Sequence, residues 1–137
     1  EDNNDQILIM ELLTWMHNNK ADYTNTFCFL MNEQFSNNEI YNNKNFLIWK
    51  KKWENRLKIN NNNQDKYLKL MRSVNPLVIP RNHKVEEALD SANNNNITPM
   101  KELIKILEKP YSNQNKIIEY QFPKLNEKQK YQTFCGT

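Results

Sequence analysis

Residues 74–89 read VNPLVIPRNHKVEEAL, and the stretch is built like a corner. Pro76 and Pro80 bias Asn75 and Ile79 away from helix, so Leu77-Val78-Ile79 should run extended. Asn82 suits a helix N-cap, because its side-chain oxygen can accept a bond from an unpaired backbone N–H. Glu86 and Glu87 then fall close to the positive end of the helix that follows. Val85, Ala88, Leu89 and Ala92 recur at helical spacing, so the corner feeds an amphipathic helix. On these residues alone the stretch is a helix–corner–helix within a core.

The segments around the corner repeat the helical pattern. Asp5 is placed to cap a helix running to about Asn18, with Leu8, Ile9, Leu12, Leu13 and Met16 on one face and Trp15 extending it. Asp22 is placed to cap a second, striped by Tyr23, Phe27, Leu30 and Met31. Residues 32–45 are polar and read as a loop. Phe46, Trp49, Trp53 and Leu57 mark a third helix, and Tyr67, Leu68, Met71 and Val74 a fourth that halts at Asn75-Pro76. The fifth spans His83 to about Ala92. Thr98 and Pro99 open a sixth, with Thr98 as cap, Met100, Leu103, Ile104 and Leu107 as its apolar face, and Pro110 ending it. From Tyr111 onward there is no sustained period, apart from a turn near Ile117–Tyr120. The reading is an all-α fold of about six helices, with a helical subdomain over 1–109 and an irregular, extended C-terminal tail over 110–137.

Composition narrows the function classes. The 137 residues support one domain or a large subdomain of something longer, and Glu1 as first residue favours a piece of a longer chain. A net charge of +3, from 19 basic and 16 acidic residues, is too mild to imply nucleic acid. Lys50, Lys51 and Lys52 lie off the tryptophan face of their helix, which favours a solvated basic face over stacking and phosphate contact. Mean hydropathy is −0.94, weighed down by asparagine runs at 60–63 and 93–96 that read as loops or compositional bias. No stretch is long and apolar enough to span a membrane. Two cysteines, Cys28 and Cys135, do not form a secreted-type disulfide framework, so a reducing compartment is expected. The single glycine, Gly136, leaves no dinucleotide fingerprint, P-loop or kinase glycine-rich loop.

Side chains able to do chemistry are few. His17 and His83 lack partners at any metal-ligand spacing. His83, at a helix start, suits a structural hydrogen bond better than catalysis. Glu86 and Glu87 point in different directions and make no acid–base pair. Arg81 stands out: a guanidinium after a proline corner can clamp a carboxylate in two bonds and lock the corner to a neighbouring element, or bind a substrate phosphate. Cys135, beside Gly136 near a terminus, suits an accessible thiol.

ADYTNTF at 21–27, NPLVIPRNHKVEEAL at 75–89, Pro110-Tyr111 and the closing YQTFCGT at 131–137 resemble, in that order, the C-terminal region of the selenoprotein O family. These are kinase-fold proteins, once called pseudokinases, that transfer AMP to protein hydroxyls. The resemblance implies a C-terminal portion of a protein adenylyltransferase, carrying Asn75, Pro76, Pro80, Arg81, Asn82 and His83 as a structural motif. It also implies that ATP and Mg (or Mn) are bound by a kinase-like catalytic domain upstream, so no catalytic, cofactor or metal residue is expected here. The partners implied are that domain and protein substrates, in the cytoplasm or, in a eukaryote, the mitochondrion. Selenium-containing members place selenocysteine near their C-terminus, which implies a redox role for Cys135 and a cysteine partner in the catalytic part. At Cys28 the chain departs from the basic residue expected after Thr-Phe, so no ionic contact is carried over there. The reading from another class is a helical protein-interaction module without catalysis.

Overall fold

The computed structural model describes residues 3–31, 39–59, 64–114 and 116–124. Among them are α1 (Asn3–Asn19), α2 (Tyr23–Leu30), a 3-10 turn (Glu39–Asn42), α3 (Lys44–Ile59), α4 (Gln64–Val74), α5 (Asn82–Asn93), α6 (Thr98–Leu107) and the short α7 (Ile118–Gln121), with no strand. The all-α expectation holds, with α7 added where only a turn was anticipated.

Two apolar cores divide the helices. In the first, α1 and α3 lie antiparallel: Trp15 Nε1 donates to Asn43 Oδ1 at 3.1 Å near one end, and Arg56 pairs with Asp5 at the other. Leu12, Trp15, Met16, Leu30, Tyr41, Phe46 and Trp49 fill the space between. Phe46 is fully buried, with its ring centroid 4.5 Å from that of Trp15, and Phe29 stacks on Tyr41 at 4.2 Å. The second core gathers Ala88 of α5, Leu103 and Ile106 of α6, the corner residues Leu77 and Val78, and Ile117 and Tyr120 around α7. Burying each larger apolar side chain contributes about 1.5–3 kcal/mol.

Helix α2 serves both cores. Cys28 and Met31 face the second while Leu30 faces the first, and Met71 of α4 packs against each. Eight residues are too few for an isolated helix to persist. Its ends are therefore tied down: Asp22 Oδ1 accepts from Asn25 N at 2.9 Å, and Arg72 Nη2 donates to the Met31 carbonyl at 3.1 Å.

Several local expectations shift. Helix α1 starts at Asn3, so Asp5 sits inside the first turn and pairs with Arg56 Nε at 2.7 Å instead of capping. At α6 the N-cap is Ile97, and Asn96 Oδ1 accepts the Thr98 N–H at 3.2 Å in the role expected of Thr98. Asn95 holds a left-handed backbone at φ 62°, which asparagine tolerates better than most residues. The stretch read as a loop over 32–45 contains the 3-10 turn and the buried Tyr41, and α3 already begins at Lys44; residues 32–38 lie outside the described set. Ile9, Tyr23, Val74, Leu89 and Ile104 were expected on packed faces but are exposed, as is Leu13 in part.

Tyr41 links the 3-10 turn to α2. Thr26, fully buried, donates its single hydroxyl proton to the Asp22 carbonyl at 2.7 Å, so Tyr41 is the donor in their 3.3 Å contact. Burial raises the Tyr41 pKa above the usual tyrosine value. The folded state therefore holds this proton more tightly than the unfolded state. Its contribution is complete below about pH 10 and disappears as pH rises through the higher folded value. Tyr41→Phe should cost about 1 kcal/mol at neutral pH, and its stability gap to the parent chain should close above about pH 10. Urea unfolding across that range measures both; parallel curves for the two proteins would refute the assignment.

Candidate functional site

The corner is where the chemistry-bearing side chains converge. Leu77 and Val78 lie between the prolines outside any helix, with a bend at Leu77, and are buried, so their backbone groups require partners. The Leu77 N–H donates to the Pro110 carbonyl at 2.7 Å, and the Leu77 carbonyl accepts from Gln121 Nε2 at 3.0 Å. Upstream, Asn75 bonds the Met71 carbonyl with both its backbone N–H and its side-chain amide, each at 2.9 Å, and so closes α4. The Pro76 carbonyl accepts the Cys28 thiol at 3.5 Å, anchoring the corner to α2.

Arg81 has only 9% of its surface exposed. Its Nη1 donates to Asp22 Oδ2 at 2.7 Å and its Nη2 to Asp22 Oδ1 at 2.9 Å, a two-bonded fork on one carboxylate. The remaining face of the guanidinium meets the Gln121 carbonyl, from Nε at 3.1 Å and Nη2 at 2.6 Å. Asp22 thus closes an ion pair and caps α2 at once. The carboxylate clamp is the geometry of the two Arg81 readings that occurs here, and the fork directed at Asp22 leaves little guanidinium for a phosphate.

The clamp explains a second shift. The N-cap of α5 is Arg81, at φ −84° and ψ 130°, and Asn82 is an exposed first residue with no capping bond from the preceding side chain. The Arg81 carbonyl takes the Lys84 and Val85 N–H groups at 2.9 and 3.0 Å. A cap side chain is worth about 1 kcal/mol, less than a buried fork, so the register follows the arginine. His83 is half-buried in the first turn of α5, and Pro80 is exposed. Glu86 and Glu87 are exposed, and Lys84 Nζ reaches Glu87 at 2.9 Å. Two of the three consecutive lysines are paired, Lys50 with Glu54 and Lys52 with Glu11. Among the described residues no group of three or more His, Cys, Asp or Glu is placed to hold a metal ion. Cys135 lies outside the described residues.

The sequence model described as "Protein adenylyltransferase SelO" matches residues 1–108, which include α1 to α6 and the Arg81–Asp22 fork. The chain belongs to the SelO family. Relatives named "Protein nucleotidyltransferase YdiU" include one from Pelagibacter ubique, 55% identical over 137 residues, all of this chain and 28% of the relative. Another, from Alcanivorax borkumensis, is 43% identical over 134 residues, 97% of this chain and 28% of the relative. A third, from Clostridium perfringens, is 41% identical over 139 aligned residues, again 28% of its length. The chain therefore spans between a quarter and a third of these SelO-family relatives. The turn expected near Ile117–Tyr120 did not point to Gln121, although Ile117, Tyr120 and Gln121 share the i, i+3, i+4 spacing of a helical face.

Breaking a buried pair strands its partner charge, so Arg81→Ala should lower stability by about 2–4 kcal/mol, reduced from a fully dry site because Asp22 is partly exposed. Arg81→Lys should recover less than half of that loss, since an ammonium cannot bond both carboxylate oxygens and the Gln121 carbonyl in one plane. Thermal melts of the three proteins decide it; an unchanged midpoint in Arg81→Ala would remove the clamp.

Proposed function

We propose that this chain is the C-terminal part of a protein adenylyltransferase, which transfers AMP from ATP to serine, threonine or tyrosine hydroxyls of proteins. The observation that carries the reading is family membership together with alignment of the whole chain to a minor share of much longer nucleotidyltransferases. The residues of this chain do not fit ATP and Mg (or Mn): the only glycine is Gly136, and the described acidic residues, histidines and Cys28 form no metal cluster. Nucleotide and metal belong to the kinase-like part outside it. Here α1 to α7 buttress that part through a scaffold locked by Arg81. No helix among the described residues is long and apolar enough to cross a membrane, and a cytoplasmic setting, or a mitochondrial one in a eukaryote, suits the two cysteines.

The test joins this chain to the rest of the Pelagibacter ubique relative in place of that protein's own matching segment. With labelled ATP, divalent metal and a protein acceptor, the full-length chimaera should place AMP on acceptor hydroxyls, while the 137-residue chain should place none. Transfer by the chain alone, or none by an equally folded chimaera, would overturn the proposal.

Cys135 is assigned a regulatory thiol role within the same reading. Cys28 is fully buried with its thiol on the Pro76 carbonyl, so it is a poor rival for oxidants or a disulfide mate. Treated with peroxide, the chimaera should join Cys135 to a cysteine of the catalytic part and change in activity. Cys135→Ser should lose both responses; mass spectrometry finding Cys135 still a free thiol, with the variant responding like its parent, would sink the assignment.

A further inference from the structure

Helix α1 carries apolar residues on every side. Leu12, Trp15 and Met16 are buried against the first core, yet Ile7, Ile9 and Met10 keep 56%, 58% and 60% of their surfaces exposed. Across from Ile7 and Met10 on α3, Ile48 is 50% exposed. A groove of about 630 Å³ runs between the two helices, lined by Ile7, Met10 and Ile48 and floored by Trp15 and Trp49. Its charged rim is already neutralised, because Lys52 Nζ holds both oxygens of Glu11 at 2.7 and 3.0 Å. Gln6, Glu11, Thr14 and Asn45 share the lining, but a surface helix ordinarily keeps its outer face polar, and on α1 Ile7 and Met10 interrupt that face. Two facing helices with half-exposed aliphatic residues above tryptophans form a continuous patch of the kind that marks an interface.

We infer that the α1–α3 groove is the seat of the catalytic portion of the same polypeptide, which inserts an apolar helix or loop between Ile7, Met10 and Ile48. This rests on the reading that the chain is part of a longer enzyme and adds which face meets the remainder. Most of the length of each aligned relative lies outside this chain, so a tethered occupant is available. Tethering presents it at an effective concentration of about millimolar, which a free second copy does not match at ordinary protein concentrations. The paired Glu11–Lys52 rim offers no unpaired charge to a highly charged partner and suits an aliphatic or aromatic one.

Single cysteines at Met10 and Ile48 (M10C and I48C) test it, introduced into both the 137-residue chain and the full-length chimaera and followed by peptide mapping of thiol labelling. Both positions should label rapidly in the chain alone and at least about tenfold more slowly in the monomeric chimaera, as burial protects a group from reagent. As a second measurement, Met10→Lys and Ile48→Lys should leave the melting of the chain unchanged and lower that of the chimaera. Rapid labelling in a monomeric chimaera that still transfers AMP would overturn this docking face while leaving the proposed function standing. Failure of AMP transfer with the cysteines protected would do the reverse. Protection of the chain alone that grows with its concentration would make a second copy the occupant and overturn the inference.

Discussion

A guanidinium placed inside a protein needs its donors met by fixed acceptors, and Arg81 imposes that requirement on three separate parts of the chain. Asp22 must stand at the start of α2 with both oxygens turned inward, and the Gln121 carbonyl must close the other side. The corner between the prolines must put Arg81 in extended backbone so that its side chain leaves α5. If any of the three moves, a charge is stranded in a medium where it costs several kcal/mol. The ion pair alone is weak evidence for stability, because desolvation offsets much of its attraction. Its greater effect is on specificity: only one mutual placement of α2, α5 and α7 satisfies the fork and the carbonyl together.

The same node explains why α2 can be short and still divide two cores. Asp22 caps it, the Asp22 carbonyl holds Thr26, and Thr26 accepts Tyr41 from the first core. Cys28, two residues on, reaches the corner through the Pro76 carbonyl. Asn25 is buried beside these contacts, and its side-chain oxygen has no hydrogen-bond partner among the described residues. Structure at one end of α2 is thus transmitted to the aromatic cluster and to the α5–α6 pair through hydrogen bonds within a single helix.

Much of this was legible before any coordinates. Trp15, Phe46 and Trp49 at helical spacing located the aromatic core, and Pro76 and Pro80 located the corner, because both signals are local and strong. Arg81 was singled out as a clamp on its chemistry, but its partner is 59 residues away, and no periodicity points that far. The capping errors share a cause. Asn82, Asp5 and Thr98 are all good cap formers, yet a tertiary bond or a neighbouring side chain set each boundary elsewhere, overriding a preference of about 1 kcal/mol. Ile9 and Leu13 misled for a different reason: on a helix whose apolar residues spread beyond one face, periodicity cannot say which of them lies inward. The chemistry on view at the corner is the Arg81–Asp22 fork, which holds α2 to it.

The clamp also bounds what the C-terminal cysteine can reach. Gln121 is tied twice, through its carbonyl to Arg81 and through its amide to Leu77, so its position relative to the corner is fixed. Cys135 follows fourteen residues later in the sequence. At 3.3–3.6 Å per fully extended residue, its thiol cannot lie more than about 50 Å from that anchor. The proposed regulatory pairing therefore requires a partner cysteine within that distance of Gln121.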